Sequence, residues 1–177
     1  PLDKGESLRD NVSRYNKAWN SAILNNKASN YNENLNNQSS LDLERSNLLS
    51  TNPKTNLEFM KVWRLIENTF NDKIECNKVK WEFMQTFTSE NFYKLFQSEI
   101  NGDLLGNFLI IFENQLINDI KNSDFIVDCL NVFSKCNRFS LNKMFLKSNE
   151  IESCKNIFEY LERNEIEVSQ LKEKYLK

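Results

Sequence analysis

The sequence predicts an all-α fold, a compact bundle of about seven short helices preceded by a largely disordered, asparagine-rich segment. Three observations carry that expectation. The 177 residues hold 3 Gly and 2 Pro, too few for a turn-dense all-β domain. From Leu57 onward, large apolar residues recur at helical spacing to the end of the chain. Residues 25–40, NNKASNYNENLNNQSS, offer almost nothing to bury, so they cannot offset their ordering entropy. The organisation expected is a polar linker over 1–54, a helical interaction domain over 55–164 and a peripheral helix over 165–177.

Within the linker, Ser39-Ser40-Leu41-Asp42 with Leu43, Leu48 and Leu49 carries the capping signature of a brief amphipathic helix. Thr55-Asn56-Leu57-Glu58 reads as a capping box, and Pro53 disfavours helical backbone at Asn52. The first domain helix therefore starts near Thr55. Phe59, Val62, Trp63, Ile66 and Phe70 follow at i, i+3, i+4, i+7 and i+11 as one apolar stripe. A second helix is expected over 77–86, burying Trp81 and Met84. Thr88 or Ser89 caps a third, with Phe92, Leu95 and Phe96 on one face. Asn101-Gly102 suits a left-handed helix stop, and Asp103 then caps the next helix.

That fourth helix, over 104–120, is apolar on more than one face and is expected at the centre of the bundle. Gly106 inside it costs about 1 kcal/mol relative to alanine, which predicts a neighbouring helix crossing close to its backbone. Ser123 is expected to cap a fifth helix running to Phe133, and a short helical turn follows at 141–146. Ser148 caps a seventh, with Ile151, Cys154, Ile157, Phe158 and Leu161 inward. Ile166, Val168, Leu171 and Tyr175 mark the last. A domain of this size has to bury nearly all its large apolar side chains to offset chain entropy. Phe59, Trp63, Phe96, Leu104, Leu105, Phe139, Phe158 and Leu161 are accordingly assigned to the structural core.

Little catalytic chemistry remains open. The chain has no histidine, which removes Ser-His-Asp and Cys-His nucleophile pairs and the commonest general base near neutral pH. Cys76, Cys129, Cys136 and Cys154 form no C-x-x-C pair and are expected as buried thiols in a reducing compartment. No glycine-rich phosphate loop or nucleophile-elbow motif occurs. Glu150, Glu152, Glu159 and Glu162 fit a solvated helix surface. No catalytic, cofactor-binding or metal-binding residue is assigned, and no cofactor is implied. A net charge of −2 argues against a nucleic-acid partner. No apolar run is long enough to cross a membrane, so an intracellular soluble protein is expected. Trp19, an isolated aromatic within Arg14-Tyr15-Asn16-Lys17-Ala18-Trp19-Asn20, forms with Asn20 a candidate docking motif.

Five words follow one another over residues 59–161: Phe59-Met60-Lys61-Val62-Trp63-Arg64-Leu65, Phe92-Tyr93-Lys94-Leu95-Phe96, Asp103-Leu104-Leu105-Gly106, Asn137-Arg138-Phe139-Ser140-Leu141 and Ile157-Phe158-Glu159-Tyr160-Leu161. Their ordered set resembles the C-terminal helical domain of RNA polymerase II-associated protein 3, shared by sperm-associated antigen 1 and coiled-coil domain-containing protein 103. Pro1-Leu2-Asp3-Lys4 and Trp19-Asn20, together with Asn142 after the fourth word, are similar to the coiled-coil domain-containing type. Ala18 departs from it, standing where that type has proline. The tetratricopeptide period of the other two relatives is absent, and so is the N-terminal coiled coil, so the chain is expected to be a fragment.

The resemblance implies a non-enzymatic factor that assembles or attaches axonemal dynein arms in motile cilia and flagella, found in the cytoplasm and the axoneme. Its implied partners are axonemal dynein or microtubule-associated components, with self-association through the upstream coiled coil. The alternative it implies is a co-chaperone subunit docking a RuvB-like AAA+ ATPase in a heat-shock-chaperone assembly complex. Near the shared words, Lys94, Arg138 and Lys143 are the candidate partner-binding residues, expected as exposed basic positions.

Overall fold

Each helix starts where a side chain can satisfy the orphaned amides of a first turn, and those caps set the boundaries. The computed structural model describes residues 40–177. The chain divides into two units, Pro1–Asn47 and Leu48–Lys177. Of the first unit only residues 40–47 are described; they belong to helix α1, over 40–49. Trp19 and Asn20 lie outside the described residues. At the start of the second unit Leu48 is buried, and the Thr51 hydroxyl donates to its carbonyl at 2.6 Å.

The remaining helices are α2 (Asn56–Thr69), α3 (Lys73–Gln85), α4 (Ser89–Phe96), α5 (Gly102–Asn118), α6 (Ser123–Phe133), α7 (Phe139–Asn142), α8 (Ser148–Arg163) and α9 (Ser169–Leu176). Every regular element among the described residues is helical, as the sequence predicts.

The Thr55 hydroxyl accepts from the Glu58 amide at 3.2 Å, but the Glu58 carboxylate reaches the Lys54 amide at 2.8 Å, one residue beyond a standard capping box. Helix α3 begins earlier than periodicity predicts because the Asp72 carboxylate accepts from the Glu75 amide at 2.8 Å. Thr88 caps α4 through the Asn91 amide, which leaves the Ser89 hydroxyl to donate to Asp128 at 2.7 Å. Asn101-Gly102 is not a helix stop: Asn101 accepts from the Leu104 amide at 2.7 Å and starts α5, with Gly102 already helical. Ser123 caps nothing. It is buried at the first position of α6, behind a 3-10 turn, Ile120–Asn122, that Asp119 caps instead.

Helix α5 is central. Leu104, Leu105, Phe108, Leu109, Ile111, Phe112 and Leu116 are all buried along it. Rings from three other helices surround Phe108: Phe133 stacks on it with centroids 5.0 Å apart, Trp63 meets it edge-on at 5.1 Å, and Phe96 lies at 5.9 Å. Such pairs add about 0.5–1.5 kcal/mol each beyond area burial. The structure buries Phe59, Trp63, Phe96, Leu104, Leu105, Phe139, Phe158 and Leu161. Lys80 is buried too, with its ammonium 2.6 Å from Glu67 and 4.7 Å from the Trp63 ring centre. On α9, the Tyr175 hydroxyl donates to Leu130 O at 2.9 Å and its ring packs on Phe139 and Phe158.

Helix α8 makes the close approach that Gly106 foreshadows. A Cβ built on Gly106 would land inside the Glu150 carboxyl group. Glu150 is therefore no solvated residue: it is 3 % exposed, and its carboxylate accepts from the Lys147 amide at 2.8 Å. That bond replaces the expected Ser148 cap. Ile151 faces outward rather than inward. All four cysteines are free and buried, and burial pushes the Cys136 and Cys154 thiols up to about 12. Thiols so protonated are poor nucleophiles and poor metal ligands.

Because Trp63 fills the space between α2 and α5, Trp63→Ala is expected to cost about 3–5 kcal/mol. Urea unfolding followed by circular dichroism measures it, and an unchanged midpoint would contradict this core.

Candidate interaction surface

The loop between α4 and α5, residues 97–101, has no helix of its own to satisfy its carbonyls, so side chains and backbone from elsewhere do it. Asn56 Nδ2 donates to Glu99 O at 3.0 Å, and Asn142 Nδ2 donates to Ile100 O at 2.7 Å from a buried position. The Asn137 amide donates to Gln97 O at 3.3 Å. Arg138 adds an ion pair, Nη1 to Glu99 Oε2 at 3.7 Å. Arg138 adopts φ 60°, a left-handed conformation that a non-glycine residue takes only when its surroundings hold it there.

Gly102 explains how the other side of this loop is built. A Cβ there would sit 2.9 Å from both Asn142 O and Phe145 Cβ. Only glycine allows the backbone at 142–145 to lie on the first turn of α5. The 3-10 turn Lys143–Phe145 is thereby pressed against α5, and three residues cannot all point inward. Met144 is 76 % exposed, Phe145 66 % and Leu141 52 %. At the rim, Lys147 Nζ lies 3.5 Å from Asp103. On the opposite side of the loop a groove of about 480 Å³ runs along α2, bordered by Leu57, Met60, Lys61, Arg64 and Glu99. A smaller hollow of about 190 Å³ adjoins it, sharing Met60, Arg64 and Asn101.

Of the basic residues singled out from the sequence, Arg138 lies in this surface. Lys94 is exposed on α4 and pairs with Glu90 of its own helix at 2.7 Å; the hydrogen bond from Lys94 holds the Glu90 carboxyl below its ordinary value. Lys143 is a correction. It is half-buried, and its ammonium donates to Lys174 O at 2.7 Å, near the negative end of α9. Sequence reasoning missed Leu141, Met144 and Phe145; the available signal was a run of three large apolar residues, Met144-Phe145-Leu146, inside a turn too short to bury them all. Among the described residues, no group of His, Cys, Asp or Glu is placed to hold a metal ion. Exposed apolar side chains rimmed by charge, on a frame pinned by hydrogen bonds, are the features by which protein-binding faces are recognised.

Residues 52–151 match the family model described as the potential Monad-binding region of RPAP3. The chain belongs to this family. The loop, the turn and the α2 groove all lie inside the matched span of the RPAP3 region. The NMR structure of the C-terminal domain of human RPAP3 superposes with a TM-score of 0.61 at 18 % identity, covering 72 % of this chain and 90 % of that one. That likeness shows the fold. Among curated proteins, dynein axonemal assembly factor 19 of Danio rerio is 30 % identical over 114 residues, covering 64 % of this chain and 42 % of the relative. The protein of the same name from Xenopus tropicalis is 25 % identical over 108 residues, 61 % of this chain and 43 % of the relative. The chain thus spans less than half the length of the curated relatives it matches.

Replacing Asn142 with alanine strands the Ile100 carbonyl and is expected to cost about 1–3 kcal/mol. It should also speed amide exchange selectively over 97–104. Chemical denaturation with hydrogen-exchange mass spectrometry reads both, and unchanged protection there would show that Asn142 does not pin the loop.

Proposed function

We propose that this chain is the protein-interaction module of a factor that assembles or attaches axonemal dynein arms, working without catalysis in the cytoplasm and at the axoneme of motile cilia and flagella. The supporting observation is that the two curated relatives described above carry the name dynein axonemal assembly factor 19. The segment carrying Leu141, Met144 and Phe145 is the face through which it grips a partner, and Arg138, exposed in the same surface, ties it to the loop through Glu99. The Pro1-Leu2-Asp3-Lys4 and Trp19-Asn20 words add support for the coiled-coil domain-containing protein 103 type, in which self-association would come from an upstream coiled coil. Axonemal dynein or microtubule-associated components are the partners this reading names.

The description of the family as Monad-binding supports a second reading, a co-chaperone subunit that docks a RuvB-like AAA+ ATPase. The two readings part on partner. Removal of the protein from a ciliated cell is expected to strip dynein arms from axonemes seen by electron microscopy. The full-length protein should restore them and a variant with Met144→Asp and Phe145→Asp should not. Intact arms after removal, with the purified chain retaining a RuvB-like ATPase on beads, would overturn the first reading in favour of the second.

A further inference from the structure

Helix α2 has two faces of different character. Phe59, Trp63 and Ile66 point into the core, and Phe70 just past the helix end is buried too. Leu57, Lys61, Arg64 and Asn68 recur at i, i+4, i+7 and i+11 on the opposite side, where they form one outward stripe. Leu57 is 66 % exposed on that side, and Met60 stands half-buried at its edge, lining the groove of about 480 Å³.

Among the described residues, the charges around this groove do not balance. Each carboxylate that lines it or the adjoining hollow already has a cation from another element: Glu99 has Arg138 at 3.7 Å, Glu67 has Lys80 at 2.6 Å, and Asp103 has Lys147 at 3.5 Å. Lys61 and Arg64 line the same space and make no ion pair with any of the described residues. Among the described residues the face therefore offers two cations without an ion-pair partner beside an apolar floor, in a chain of net charge −2. Phosphate backbones are held by longer runs of basic residues, whereas a pair of cations flanked by apolar side chains matches a peptide.

We propose that the outward face of α2 binds an acidic amphipathic segment of a partner protein. Its apolar side chains lie against Leu57 and Met60, and its carboxylates pair with Lys61 and Arg64. Charge complementarity of this kind acts mainly on recognition and association rate, and salt weakens it. The inference stands apart from the dynein reading, because it concerns the chemistry of the ligand and not the assembly that carries it.

The test titrates the isotopically labelled full chain with a synthetic amphipathic helix of leucine and glutamate, followed by amide NMR shifts. The expected result is a set of shifts confined to α2 and residues 98–101, with affinity falling as salt is raised. The pair of substitutions Lys61→Glu and Arg64→Glu should weaken binding by about tenfold or more, and Lys61→Gln with Arg64→Gln by less, both with an unchanged melting temperature. Equal binding of the same leucine helix carrying lysine in place of glutamate would overturn the proposal. So would shifts that fall elsewhere, or tighter binding of an oligouridine to this face.

Discussion

The Glu150 side chain occupies the space that any other residue at 106 would fill. Burying a carboxylate is costly unless hydrogen bonds and charge compensate it. Here the Lys147 amide donates to it at 2.8 Å, and the Lys147 ammonium stands 3.6 Å away. Both partners come from the start of α8 itself, so the carboxylate satisfies that helix end while its chain lies on the backbone of α5. The absent Cβ at Gly106 and the buried acid at Glu150 are one arrangement, and it fixes where α8 begins. The turn at 143–147 follows, and Gly102 lets that turn sit down on α5. Met144 and Phe145 have no inward space left, so they face solvent.

The aromatic core explains why a helix as short as α4 is ordered. Phe92 and Phe96 stack at 5.6 Å and both reach Phe133 across the bundle. Helices of this length are marginal alone, and their stability comes from the face they bury. Helix α2 shares in the same core through Phe59 and Trp63, so that its other side carries the exposed Leu57, Lys61 and Arg64. The exposed stripe on α2 is thus a by-product of how the core is filled. The loop at 97–101 links the two, held by Asn56 on one side and Asn142 on the other.

How much of this the sequence discloses depends on the range of the interaction. The stripe from Phe59 to Phe70 and the many-sided apolar character of α5 are periodic signals, and the helices and their core follow from them. Gly106 is legible as an anomaly because a mid-helix glycine is unfavourable locally, although nothing local identifies Glu150 as its partner. Asn101-Gly102 misleads for the converse reason. Taken alone the pair suits a helix end, but the demand for glycine comes from Asn142 and Phe145, some forty positions along. Lys143 spends its charge on α9 and Arg138 takes a left-handed backbone, and neither fact leaves a trace in residue spacing. The family resemblance reads the fold and the protein-binding character of the region; the run Met144-Phe145-Leu146 hints at the exposed turn, but which of its side chains face solvent emerges only from three-dimensional packing.

A double-mutant cycle between positions 106 and 150 tests this dependence most directly. Gly106→Ala alone should destabilise the domain even though alanine favours a helix by about 1 kcal/mol, because the new Cβ evicts the carboxylate. Glu150→Ala alone should also destabilise it by removing the bonds at the start of α8. The two together should cost less than their sum, with a coupling of about 0.5–3 kcal/mol in urea unfolding. Simple additivity, or a Gly106→Ala variant more stable than the wild type, would contradict the account.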